Sequence, residues 1–171
     1  MNREALKKAI DNLSIQMIYL WSSELRFYND FDPLIPNQEV IGKYGIATLS
    51  CQIKKTTEEN GNEFKLLHFK VAAHIKFYKG PIPDELKHNP DQDELFNNLI
   101  CAEINTVFAA EYLITCADDI PEEALHEFGR LNAPHQVWPY WREYCHSTCS
   151  RMSLPVILLP MLVINQNTEK D

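Results

Sequence analysis

From Leu67 to Tyr78 the chain alternates without interruption: Leu67, Phe69, Val71, Ala73, Ile75 and Phe77 are set against His68, Lys70, Ala72, His74, Lys76 and Tyr78. Successive side chains of a strand point to opposite faces, so this pattern predicts a β-strand with one buried and one wet face. A strand of that kind needs neighbours to pair with and a layer to cover its apolar side. The rest of the chain has to supply both.

Two further segments carry the same period. From Ser14, Ile15, Met17, Tyr19 and Trp21 alternate with Gln16, Ile18, Leu20 and Ser22, continuing through Leu25 and Phe27, which predicts a long strand apolar on both faces near 18–21. A second strand is predicted from about Gly42 to Lys55, with Ala47, Leu49, Cys51 and Ile53 on one face and Thr48, Ser50, Gln52 and Lys54 on the other. Asn60-Gly61 after it is a hairpin signal. Between the first two strands, Asp32-Pro33 and Ile35-Pro36 force extended backbone within 29–36, which reads as a crossover loop. Residues 80–94, GPIPDELKHNPDQDE, read as a surface connection. From Leu95 to Cys116 the apolar residues fit either a strand or a helix stripe, and β-branched and aromatic content pulls toward strand.

Helical patterns occupy the two ends. Ala5, Leu6, Ala9, Ile10 and Leu13 make a short amphipathic helix over residues 2–13. Asp118-Asp119 before Pro121-Glu122-Glu123 signals a second helix start. That helix is predicted to break at Asn132 and restart at Pro134, then to run with Val137, Trp138, Trp141, Tyr144, Cys145, Thr148, Cys149 and Met152 on one face until just before Pro155. Strands grouped together with helices at the ends predict an α+β fold on an antiparallel sheet. One sheet under one long helix leaves its second face open, and the apolar positions left over on the first strand and around WPYW predict oligomerisation or a client-binding surface.

Length and charge narrow the function. At 171 residues the chain suits one domain, here 1–171, with residues 1–12 as a helical extension and 165–171 as a frayed tail. A net charge of −8 and the lack of clustered Lys and Arg argue against nucleic acid as a partner. The opening MNREALKK lacks a secretory core, and the five cysteines are odd in number, so free thiols and a cytoplasmic location are expected. The apolar run from Leu154 to Ile164 is too short to span a bilayer, which takes about 20 residues.

No constellation of catalytic type stands out. Cys145, His146 and Cys149 lack the further ligands a closed zinc site needs, and Cys145 has no local signature of a nucleophile, so buried thiols are expected. His68 and His74 share a face but lie about 20 Å apart at strand rise. Asp84-Glu85 and the acidic group at 91–94 lack the order of a calcium loop, and Gly42-Lys43 follows no phosphate cradle. No enzyme, metal or cofactor is expected. The aromatic and apolar group Trp21, Phe31, Leu34, Ile35, Trp138, Tyr140 and Trp141 is the one set able to line a groove for clients that share only being unfolded; each is also a candidate for core or interface packing.

Within 128–160, FGRLNAPHQVWPYWREYCHSTCSRMSLPVILLP, the turn-length break at 132–134, the WPYW cluster, the Arg142-Glu143 pair and the PVILLP exit resemble SecB-type protein-export chaperones. IQMIYLW from Ile15 is similar to the opening strand of that family, so the resemblance covers roughly residues 13–162. It implies a four-stranded antiparallel Greek-key sheet with a long C-terminal helix, a fourth strand within 95–116, and a homotetramer built as a dimer of dimers with helices between the sheets. It implies an ATP-independent holdase for unfolded polypeptides, with grooves mapped onto Phe31, Leu34 and Ile35 and, after the long helix, Ile157 and Leu159. Acidic positions on the family's sheet face contact the SecA motor; Glu103 looks similar to one, whereas none is evident near Ser22, Ser23 and Tyr28. Export-dedicated members continue into a further helix and a SecA-docking tail, while this sequence ends at Asp171. The helix at 2–13 resembles the branch associated with toxin–antitoxin systems, where the client is an antitoxin. An adaptor that kept the fold and lost the groove is the alternative.

Overall fold

The computed structural model describes residues 2–28, 30–57, 61–80, 98–116 and 119–162. Asn60, Asp118, the connection from 81, the acidic groups within it and the tail lie outside these residues. Helix α1 spans Arg3–Asn12 and leads without a loop into β1, Leu13–Phe27. The Asn2 side chain caps α1 by accepting a hydrogen bond from the Ala5 amide at 3.1 Å, and its amide donates to Glu123 at 2.6 Å. The strands β2, Val40–Thr57, β3, Glu63–Lys79, and β4, Ile100–Ile114, follow, and α2 closes the described order at Glu122–Arg151.

The sheet order is β1-β4-β3-β2, and every neighbouring pair is antiparallel. Strands β2, β3 and β4 lie side by side in chain order, while β1 reaches β4 across the sheet, which is a Greek key. The ambiguous segment is therefore a strand, and the loop after β1 is a crossover between the two edges of the sheet. Thr106 in β4 reinforces the centre by donating to the Ala73 carbonyl at 2.7 Å.

Helix α2 lies over β2, β3 and β4. Leu67, Phe69, Val71, Ala73, Ile75 and Phe77 are buried beneath it, as their alternation predicts. The opposite face is not uniformly wet: His68 is buried against Tyr19 and Trp21, and Tyr78 is buried with Ile100, Leu99 and Tyr28. On β2 the expected faces are interrupted. A bulge at Leu49, between Thr48 and Ser50, shifts the register, so Thr48 lies opposite Val71 and Cys51 opposite Phe69, both on the helix side.

The expected break in the long helix is absent. Helix α2 continues through Asn132, Pro134 and Pro139. An interior proline costs about 3 kcal/mol, but this helix buries Phe128, Val137, Trp138, Trp141, Cys145 and Cys149 along one side, at about 1.5 to 3 kcal/mol for each large side chain. The packing term wins. Close approach to the sheet depends on Gly129: a Cβ there would stand 2.7 Å from Cε1 of Phe69. The Gly129 carbonyl accepts from the Thr48 hydroxyl at 2.5 Å, and Phe69 packs in a three-ring cluster with Phe128 and Tyr112, each with ring centroids 5.8 Å away.

Candidate functional site

Strand β1 is the least covered part of the sheet, and its sequence explains how. Its register against β4 shifts twice, between Ile15 and Met17 and between Leu20 and Ser22. Each bulge flips the face that follows, so Leu13, Ile15, Ile18, Leu20, Leu25 and Phe27 all share the helix side despite mixed parity. Helix α2 does not reach this strip. Ile15, Leu20, Leu25 and Phe27 are 40 to 45% exposed, and Leu34 and Ile35 in the crossover loop extend the apolar surface with 75% and 53%. Covering such side chains is worth about 1 to 2 kcal/mol each, which makes the strip a candidate interaction surface.

The eight side chains expected to bind polypeptide fall in three places. Phe31, Leu34 and Ile35 form the first, with the Phe31 ring 6.0 Å from Phe27. Phe31 itself is buried and anchors the loop, whereas Leu34 and Ile35 point outward. Trp138, Tyr140, Ile157 and Leu159 form the second, where residues 152–162 turn back along α2. Trp138 donates from Nε1 to the Pro160 carbonyl at 2.8 Å and packs 5.7 Å from Tyr44, while Ile157 fills the space over Gly42. Trp138 and Leu159 are consumed by this packing; Tyr140, Leu158 and Met161 are exposed. A shallow notch of about 260 Å³ between Arg142, Glu143, His146 and Ile157–Leu159 sits beside them.

Trp21 does not join either group. It occupies the second bulge and turns to the other face of the sheet, where its ring lies 6.0 Å from His68 and 3.9 Å from the Lys70 ammonium. His68 meets the Tyr19 hydroxyl at 3.3 Å and Glu111 at 3.6 Å. Burial, then the nearby Lys54, holds His68 below the ordinary imidazole range; burial and Lys76 do the same to His74.

Glu103, the expected partner-contact acid, is on this face but engaged. Tyr28 donates to it at 2.8 Å and the Lys76 ammonium stands 4.0 Å away. Burial pushes its carboxyl up, but hydrogen bonds from Asn105 and Tyr28, with Lys76, outweigh that and hold it below the usual carboxylate range.

Cys145 and Cys149 bring their sulfurs to 4.0 Å inside the core. The hydrogen bond between them, together with burial, pushes the Cys145 thiol up, away from a nucleophilic thiolate. Among the described residues no group of three or more His, Cys, Asp or Glu is placed to hold a metal, and no helix is long and apolar enough to cross a membrane.

The sequence reading places leftover apolar positions on β1 but does not sort Ile15, Leu20, Leu25 and Phe27 onto the helix side. The signal was present as excess apolar residues on both parities between Ile15 and Phe27, but the bulges that sort them onto one face leave no mark in composition.

No family model and no curated protein matches the sequence. Among solved structures the fold is similar to the Mycobacterium tuberculosis Rv1957 SecB-like chaperone in complex with a ChAD peptide from the Rv1956 HigA1 antitoxin, at 16% identity and a TM-score of 0.66, over 94% of this chain and 98% of that one. The resemblance read from WPYW, PVILLP and the opening strand is thus matched in three dimensions: the chain has the SecB-like fold.

Proposed function

We propose that this chain, as a single domain over 1–171, is an ATP-independent chaperone that holds aggregation-prone polypeptide against the helix side of β1 and the crossover loop. The observation that carries this reading is the exposed strip Ile15, Leu20, Leu25, Phe27, Leu34 and Ile35, which α2 leaves open. Hydrophobic contact is non-directional, so such a surface accepts unrelated unfolded segments. We infer a cytoplasmic homotetramer, a dimer of dimers with helices between the sheets, in which several weak contacts act together through effective concentration. The structural neighbour holds an antitoxin peptide. Together with the resemblance of α1 to the toxin–antitoxin branch, this favours a dedicated antitoxin-like client over export precursors. SecA docking has little support, since Glu103 is already satisfied by Tyr28 and Lys76.

The alternative, an adaptor without general chaperoning, is favoured by one observation: Phe31, Trp138 and Leu159 are spent on internal packing. Light scattering during refolding of an aggregation-prone client, without ATP and at measured oligomeric mass, separates the two. Suppression at near-stoichiometric ratio supports the holdase. A well-folded oligomer that suppresses nothing across several clients and an antitoxin leaves the adaptor.

A further inference from the structure

The second bulge of β1 decides which way the rest of that strand faces. Before it Leu20 lies opposite Phe108; after it Ser22 lies opposite Val107 and Leu25 opposite Ile104, so Trp21 is the extra residue. Were the earlier register simply carried onward, Leu25 would stand opposite Glu103 on the far face of the sheet and Glu24 would take its place opposite Ile104. The position of one residue thus sets the exposed apolar side chains of the outer half of β1.

Burial does little to hold that arrangement. Every residue from Leu20 to Phe27 is exposed, and a register that buries neither face is weakly specified. Two contacts hold the strand instead. At its end the Tyr28 amide donates to the Cys101 carbonyl at 2.9 Å and the Tyr28 hydroxyl to Glu103 at 2.8 Å. In its middle Trp21 is seated on the far face, with the Lys70 ammonium 3.9 Å from its ring centroid and the buried His68 ring at 6.0 Å. The cation–aromatic contact and the covered half of the indole favour this seat over solvent. Between Leu20 and Tyr28 the chain has one residue more than β4 can pair, and that residue has to stand out somewhere. Without a seat it is accommodated at least cost near the end of the strand, beside the crossover loop, where it interrupts the fewest ladder hydrogen bonds. A bulge there turns Leu25 to the far face.

We propose that Trp21 is a positioning residue: by seating its indole on Lys70 and His68 it fixes the extra residue in the middle of β1 and so presents Leu25 on the helix side of the sheet. Taken with the strip as the client surface, on which this consequence rests, a side chain turned away from the client sets how well the client is held.

Truncating Trp21 and deleting it separate this role from a direct one. Trp21→Ser keeps the extra residue and removes its seat. Deletion of Trp21 removes both, and leaves Leu20 opposite Phe108 and Ser22 opposite Val107 with no bulge between them. On the full chain, the methyl–methyl nuclear Overhauser contact between Leu25 and Ile104 reads the register, and light scattering during client refolding reads holding. Trp21→Ser is expected to weaken the Overhauser contact and to cut aggregation suppression by about threefold or more; deletion of Trp21 is expected to restore both. Lys70→Gln, which leaves the indole in place without its cation, moves both in the same direction by less and serves if Trp21→Ser does not fold. An unchanged Leu25–Ile104 contact in folded Trp21→Ser, or in Lys70→Gln where that variant serves, overturns the proposal, because the bulge then holds itself. A deletion as impaired as Trp21→Ser overturns it too, since the indole would then act through client contact or stability alone. If the natural chain suppresses no aggregation, the chaperone reading falls, and the Overhauser contact across the same variants still decides whether Trp21 sets the register.

Discussion

Gly129→Ala sets two known effects against each other at one contact. In an isolated helix the exchange gains about 0.8 to 1 kcal/mol from backbone entropy. Here the new methyl meets Phe69 at 2.7 Å, and Phe69 is 1% exposed, clustered with Tyr112 and Phe128, which also touch each other with ring centroids 5.1 Å apart. The ring has nowhere to go. Backing α2 off the sheet weakens the Thr48 to Gly129 hydrogen bond, worth about 1 kcal/mol, and loosens the core. Overpacking of this kind costs about 1 to 3 kcal/mol, so a net destabilisation of about 1 kcal/mol is expected. Equilibrium urea unfolding at fixed protein concentration reads it as a midpoint lowered by about 0.5 M with unchanged slope. In a Phe69→Leu background the clash is relieved and Gly129→Ala should turn neutral or stabilising, a coupling of about 1 kcal/mol or more. A raised midpoint for Gly129→Ala in the natural background refutes the reasoning, because propensity would then outweigh a contact that is not tight.

Three other expectations are open to measurement. Stability should fall as pH drops from about 7 toward about 5. His68 and His74 are held below the ordinary value of about 6.5 in the fold, so the unfolded chain takes up protons the folded chain refuses. Thermal melts across that range check this, with a shallower slope in His68→Gln; stability that stays flat or rises on acidification contradicts it. Trp138→Phe deletes the bond to Pro160 and should speed amide exchange across residues 152–162 by about tenfold, with a much smaller change in the sheet. Leu20→Ser/Leu25→Ser removes two exposed side chains from the β1 strip, at about 1 kcal/mol each in client contact. Aggregation suppression should drop about tenfold while the melting temperature moves little; full suppression by this variant would count against the strip as the client surface.

The elements read from sequence were those whose pattern has one cause. Strand β3 is buried on one side by α2 and its alternation says so. The path of α2 through Pro134 and Pro139 was illegible locally, because the local signal is a break and the compensating energy comes from side chains up to fifteen or so residues away in the chain packing on the sheet. Bulges were invisible for a related reason. A single extra residue at Leu49 or Trp21 changes which face every later side chain uses, and nothing about leucine or tryptophan marks it as the extra one. The candidate groove suffered most from this. Trp21 reads as a partner of the loop aromatics and is on the other side of the sheet, while Leu20, Leu25 and Phe27, unremarkable in the sequence, form the exposed strip.

The sheet order also has a consequence for how this chain is made. Its first strand ends at Phe27 and pairs with β4, which begins at Ile100. On a ribbon of polypeptide emerging at about 5 to 20 residues per second, β1 waits roughly 4 to 15 seconds for its only described neighbour. During that interval Ile15, Ile18, Leu20, Trp21, Leu25 and Phe27 are held apart from any sheet, in a segment with strand propensity on both faces. Long-range closure of this kind slows folding and lengthens the exposure. Under the function proposed above, a holder of unfolded polypeptide begins its own life as one, with the most exposed of its described strands synthesised first and paired last.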